Sequence, residues 1–83
     1  MATRAYVLIE AAVGQAKAVA EGVSGMNFAN ARVIAADSVT GPYDVIAVLE
    51  ADDLNHLATA ITDGVQQVEG IRRTTTCLVA QSR

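Results

Sequence analysis

The chain has 83 residues, a formal net charge of −3, one histidine (His56) and one cysteine (Cys77). That length holds a single domain over residues 1–83, and those counts exclude an internal disulfide or a Cys/His metal centre within one chain. The acidic balance, with Arg72-Arg73 the only adjacent basic pair, argues against nucleic acid as a direct partner. No uncharged run approaches the ~20 residues of a membrane span.

Hydrophobic residues make up 52% of the chain and charged residues 18%, against roughly 45–50% and 25% in an average domain. A chain this short buries only about 60–65% of its unfolded surface. Small domains offset that deficit with disulfides, metals or association. With the first two excluded, self-association is expected. The N-terminus runs straight into a short apolar stretch ending at Glu10, too short for a signal peptide, so a cytoplasmic location is expected. No cofactor is expected.

Ala5–Ala11 is a β-branched and aromatic run of strand length. Val13–Val23 follows with a helical stripe of Ala16, Val19, Ala20 and Val23, and Gly22 and Gly25 offer stop signals. A second strand is expected over Ala31–Val39. Thr40-Gly41-Pro42-Tyr43 supplies turn chemistry, and a third strand runs from Asp44 to Glu50. Asp52 is the expected N-cap of the second helix, with Asp53 favourable near the helix dipole. Its core stripe is Leu54, Leu57, Ala58, Ile61, Val65 and Val68. Gly70 closes that connection, and Ile71–Gln81 makes a fourth strand.

The order is βαββαβ, and the halves repeat. Tyr6-Val-Leu-Ile-Glu-Ala11 and Ile46-Ala-Val-Leu-Glu-Ala51 match in character at five of six places. Two right-handed βαβ units related in this way give a ferredoxin-like α+β fold. Its four-stranded antiparallel sheet carries both helices on one face.

A sheet with one wet face alternates apolar and polar residues along each strand. Here Val7 and Ile9 oppose Tyr6 and Leu8, Val45, Ala47 and Leu49 oppose Ile46 and Val48, and Cys77 and Val79 oppose Leu78 and Ala80. Both faces are apolar, and two short helices cover only one. The other face is expected to meet the sheet of a second copy, in the manner of a dimeric α/β barrel.

The remaining reactive side chains read as structural. His56 falls between Leu54 and Leu57, off the core stripe, and is expected to be a solvated surface residue rather than a general base. Cys77 has no histidine placed to activate it, and a buried inert thiol is expected. Asp52 and Asp53 do not share a helix face, so they do not form a paired-carboxylate site.

Val39-Thr-Gly-Pro-Tyr-Asp-Val45 resembles the V-T-G-x-Y-D hairpin of the Lrp/AsnC effector-binding domain, also called the RAM domain. Gly70-Ile-Arg-Arg-Thr-Thr-Thr76 is similar to that family's last-strand opening, a G-V/I before an R-T-x-T run. The resemblance implies a sheet-to-sheet homodimer that assembles further, into octamers or decamers. It also implies sites between neighbouring dimers for a small-molecule effector, commonly an amino acid. The matching positions here are Gly41, Tyr43 and Asp44 in the hairpin and Thr74 and Thr76 in the strand.

An amino-acid zwitterion needs an acceptor for its ammonium and donors for its carboxylate. Asp44 can supply the first. Thr hydroxyls and backbone N–H groups near Gly41 can supply the second. Each residue also has a plain structural reading: Gly41 and Pro42 as turn formers, Asp44 as an acceptor for turn amides, the threonines as strand formers.

Regulators of this family carry an N-terminal helix-turn-helix domain, whereas this chain opens on its first strand. The expected form is therefore a stand-alone effector-binding domain without direct DNA contact, which senses a metabolite or modulates full-length Lrp/AsnC relatives by mixed assembly. Two alternatives are a small dimeric ferredoxin-like enzyme of monooxygenase or isomerase type and an ACT-type regulatory module. The second pairs edge to edge into a continuous eight-stranded sheet.

Overall fold

The computed structural model describes residues 2–80. Strand β1 (Thr3–Ala11) leads into helix α1 (Ala16–Ser24), then strands β2 (Ala31–Ser38) and β3 (Val45–Ala51), helix α2 (Leu54–Thr59) and strand β4 (Ile71–Leu78). The four strands form one antiparallel sheet in the order β2-β3-β1-β4. Each half is thus a βαβ unit with a strand of the other half inserted between its own two. This is the ferredoxin-like arrangement.

Register explains the core. Val7 stands opposite Ala47 on one side and Thr76 on the other, and Ile9 opposite Val45 and Thr74. With Ala5, Leu49 and Ala51 these residues form the face on which both helices pack, and Val7, Ile9, Val45 and Leu49 are fully buried. Helix α1 contributes Val19, Ala20 and Val23. Full burial of a valine is worth about 1.5–3 kcal/mol, so the two valines, with Ala20 beside them, give a nine-residue helix the stability that its own propensity lacks.

Helix α1 begins three residues later than its apolar pattern predicts. Val13 is 94% exposed, and Gly14 at φ 78° turns the chain out of the strand in a conformation that no helix uses. The second helix departs further. Its N-cap is Asp53 rather than Asp52: Asp53 has extended backbone angles, and its Oδ1 accepts from the His56 N–H at 2.8 Å.

Regular α-helix then lasts only to Thr59. A π-helical turn follows at Ala60–Gly64 and a single 3₁₀ turn at Val65–Gln67. Gly64 lies against Phe28, where a Cβ would stand 2.5 Å from the ring's Cε1. The core residues of this segment are Leu57, Ala60, Ile61 and Val65, whereas Leu54 and Ala58 face outward. Val68 is extended and half-buried. Strand β4 ends at Leu78, and its expected end at Gln81 lies outside the described residues.

The opposite face of the sheet carries neither helix. Its residues fall in rows across the strands. Arg32, Glu50 and Arg4 make the first, Ala35, Val48, Tyr6 and Cys77 the second, and Asp37, Ile46, Leu8 and Thr75 the third; Glu10 and Arg73 close the series. The middle is apolar, and Tyr6 is 42% exposed. Cys77 is therefore exposed, contrary to the buried thiol expected from sequence: it sits on an edge strand and on the uncovered face. A bulge between Val33 and Ala35 interrupts the β2 ladder and leaves Ile34 47% exposed.

Candidate functional site

The hairpin joining β2 to β3 closes with the Val39 N–H donating to the Asp44 carbonyl at 2.9 Å. Gly41 at φ 153° takes a conformation that side chains with a Cβ rarely adopt, so glycine is needed for the loop to close. Asp44 is then fixed at the end of β1. Its N–H donates to the Ile9 carbonyl at 2.9 Å, and its Oδ2 accepts from the Ala11 N–H at 2.8 Å. The carboxylate takes up a backbone donor at the point where β1 shifts its register with β4. Tyr43 is half-buried beside it.

The threonines sit elsewhere. Thr74 and Thr76 share the helix-side face of β4, as their spacing of two requires. Val45, Ile9 and Thr74 lie in one row, which separates the Asp44 end of β3 from Thr74 by two strand spacings, roughly 10 Å. Within one chain the five sequence-predicted residues therefore form two groups, Gly41–Asp44 and Thr74–Thr76.

Gln66 was not legible as a partner for either threonine. Its Nε2 donates to the Thr74 Oγ1 at 3.1 Å, and it stands between two grooves. One, of about 310 Å³, runs between α2 and β4 and is lined by Leu54, Leu57, Ala58, Ile61, Gln66, Thr76 and Leu78 among others. The second, of about 230 Å³, is formed by Gln66, Ile71, Arg72, Arg73 and Thr74. The first offers an apolar bed with the Thr62 and Thr76 hydroxyls and one amide. The second is bordered by two arginines and a threonine, residues whose donors suit a carboxylate.

Charged side chains mark the two ends of the open face. Glu50 accepts from Arg32 Nη2 at 2.6 Å and from Arg4 Nη2 at 3.0 Å, and these hydrogen bonds, that from Arg32 foremost, hold its carboxyl below the usual range. At the other end Glu10 and Arg73 are 3.9 Å apart. His56 Nδ1 lies 2.9 Å from Asp53 Oδ2, and both side chains are about half exposed. Among the described residues no group of three or more His, Cys, Asp or Glu is placed to hold a metal ion, and no helix is long and apolar enough to cross a membrane.

These features define a ferredoxin-like α+β domain with one sheet face uncovered and two grooves, one apolar and one polar, along one edge. The Lrp/AsnC ligand binding domain family matches residues 4–83, and the chain belongs to that family.

Solved structures agree. TTHA0845 from Thermus thermophilus is 31% identical over 98% of this chain and 96% of its own, with a TM-score of 0.84. Hypothetical protein PHS023 from Pyrococcus horikoshii is 29% identical over 99% of this chain and 93% of its own, with a TM-score of 0.83. Transcriptional regulator NMB0573 from Neisseria meningitidis, solved as a complex with L-Met, shares the fold at a TM-score of 0.73 and 14% identity. The match covers 95% of this chain and 50% of that one. No curated protein matches the chain.

Proposed function

We propose that this chain is an effector-binding assembly domain: it pairs through its open sheet face, builds a higher oligomer such as an octamer or decamer, and binds an amino acid where copies meet. Its role is to sense that effector and modulate transcription through its contacts, including mixed assembly with full-length Lrp/AsnC relatives, and not to catalyse a reaction. The observation that carries this reading is the open face itself. Its two middle rows present Ala35, Val48, Tyr6, Ile46 and Leu8 side by side, an apolar surface of a kind that monomers seldom leave bare.

The charges support one orientation. The first row has two arginines to one glutamate, whereas Glu10 and Asp37 outnumber Arg73 toward the far end. A two-fold axis that lies between two stacked faces and runs across the strands sets each arginine end against the partner's acidic end.

The separation of Gly41–Asp44 from Thr74–Thr76 fits a site completed between copies. In it Asp44 meets the effector's ammonium from one copy, while the Thr74 and Thr76 hydroxyls, beside Arg72 and Arg73, meet its carboxylate from another. The complex of NMB0573 with L-Met supports an amino acid as the ligand class.

Native mass measurement beside a thermal-shift screen of the common amino acids tests the proposal. The expected result is an oligomer whose melting temperature rises with one or a few amino acids, since a ligand selective for the native state stabilises it by mass action. A monomer indifferent to all of them would overturn it.

A further inference from the structure

At the pole of the domain opposite the Gly41–Asp44 hairpin, a third groove of about 230 Å³ opens between the segment that enters β2 and the π-helical turn after α2. We propose that this groove is a second small-molecule site, distinct from the interface site, and that it takes a compact ligand with a flat apolar body and a single ammonium group.

Its walls are largely apolar. Phe28, Ala31 and Ala60 line it, and the latter two are themselves almost fully buried. Gly64 forms part of the wall, and its lack of a side chain is what lets the Phe28 ring seat against the turn. The turn is π-helical, a departure from α-geometry that proteins place frequently at functional sites. The segment entering β2 is held from the turn before α2, where the Asp52 N–H reaches the Asn30 carbonyl at 3.5 Å. A volume below the roughly 300–1,000 Å³ of sites for drug-sized molecules sets the ligand's scale at one ring.

The polar lining selects the charge. Asp63, His56, Thr59 and Asn30 are the polar residues around the groove. Asp63 is a carboxylate and only accepts hydrogen bonds. The His56 Nδ1 lies 2.9 Å from the Asp53 carboxylate, which occupies that ring atom. No lysine or arginine lines the groove. A carboxylate with no lysine or arginine beside it favours a positively charged head and disfavours another carboxylate.

The test is isothermal titration of the native protein with benzylamine, benzyl alcohol and benzoate, which share one ring and differ in the charge of the head. Benzylamine is expected to bind best and benzoate worst. Asp63→Asn, an exposed position, is expected to weaken benzylamine about tenfold or more, the scale of a lost charge-assisted hydrogen bond, and to leave benzyl alcohol unchanged. Thr59→Tyr, which blocks the mouth from another exposed position, is expected to abolish binding of both.

The inference is overturned if benzylamine does not bind, if benzoate binds as well as benzylamine, or if either variant leaves benzylamine binding unaltered. None of these outcomes touches the hairpin or the sheet face, so the proposed function stands or falls separately.

Discussion

Both faces of the sheet carry an apolar middle in sequence, and they differ completely in what covers it. Beneath the helices, Val7, Ile9, Val45 and Leu49 are sealed from solvent. On the other side Leu8, Ile46 and Val48 keep part of their surface, and Tyr6 is 42% exposed. A strand pattern therefore reports that both faces want partners, while the number of helices decides that only one finds its partner within the chain. The covered face makes the fold. The uncovered face is the one assigned above to the proposed pairing.

The largest effect is expected on the covered side. Leu49→Ala removes a fully buried side chain and should cost about 2–5 kcal/mol, a large share of the stability of any small domain. Urea unfolding monitored by circular dichroism measures it, and a loss below about 1 kcal/mol would mean the site collapses around the gap. On the open side Leu8→Lys should act on association: native mass should fall to that of a smaller species. A variant that keeps both its mass and its melting temperature would remove Leu8 from the pairing surface.

Asp44→Ala lies between the two sides. It strips the Ala11 N–H of its acceptor, which should cost about 1–3 kcal/mol, and it should abolish amino-acid binding while the assembly keeps its size. Asp44→Asn preserves an acceptor oxygen at the same place, so it separates the two roles: stability should return while ammonium binding stays weak. Effector binding that survives in both variants would confine Asp44 to the hairpin.

The smallest expected effect is in acid. Asp53 is held below its ordinary value chiefly by the His56 backbone N–H, and Glu50 by Arg32 and then Arg4. A carboxyl whose folded pKa is lowered contributes stability above its unfolded value, here 3.8 for Asp53 and 4.5 for Glu50. That contribution is lost as the pH falls through the folded value. The melting temperature should decline only below about pH 4.5, modestly, because Asp53 and the two arginines that pair with Glu50 are exposed to solvent and screened. Asp53→Asn, which can still cap the helix, should make the decline shallower. An identical acid profile in that variant would show that the cap carboxylate does not titrate with folding.

The elements that sequence locates well are those whose pattern is local. The β-branched runs of β1 and β3 and the Val19, Ala20 and Val23 stripe need no distant partner to be recognised. The second helix reads as one long stripe because its interruption comes from elsewhere. Gly64 must yield space to Phe28, a residue thirty-six positions earlier in the chain, and no local pattern announces that contact. The choice between Asp52 and Asp53 as the cap turns on one backbone conformation that composition leaves open. In the same way, alternation places Thr74 and Thr76 on a common face, but only the pairing with Val7 and Ile9 says that it is the helix side. Gln66 enters the site through a single 3₁₀ turn, too short to show a period.

The bulge at Val33–Ala35 bears on how far such a sheet can grow. A free strand edge is a template for another chain, and an unbroken edge at both sides would let copies add without end. Here each edge strand carries an extra residue, Ile34 in β2 and Arg72 in β4. Both margins of the sheet are thus interrupted, which disfavours the lateral addition of strands and, with it, growth as a fibre.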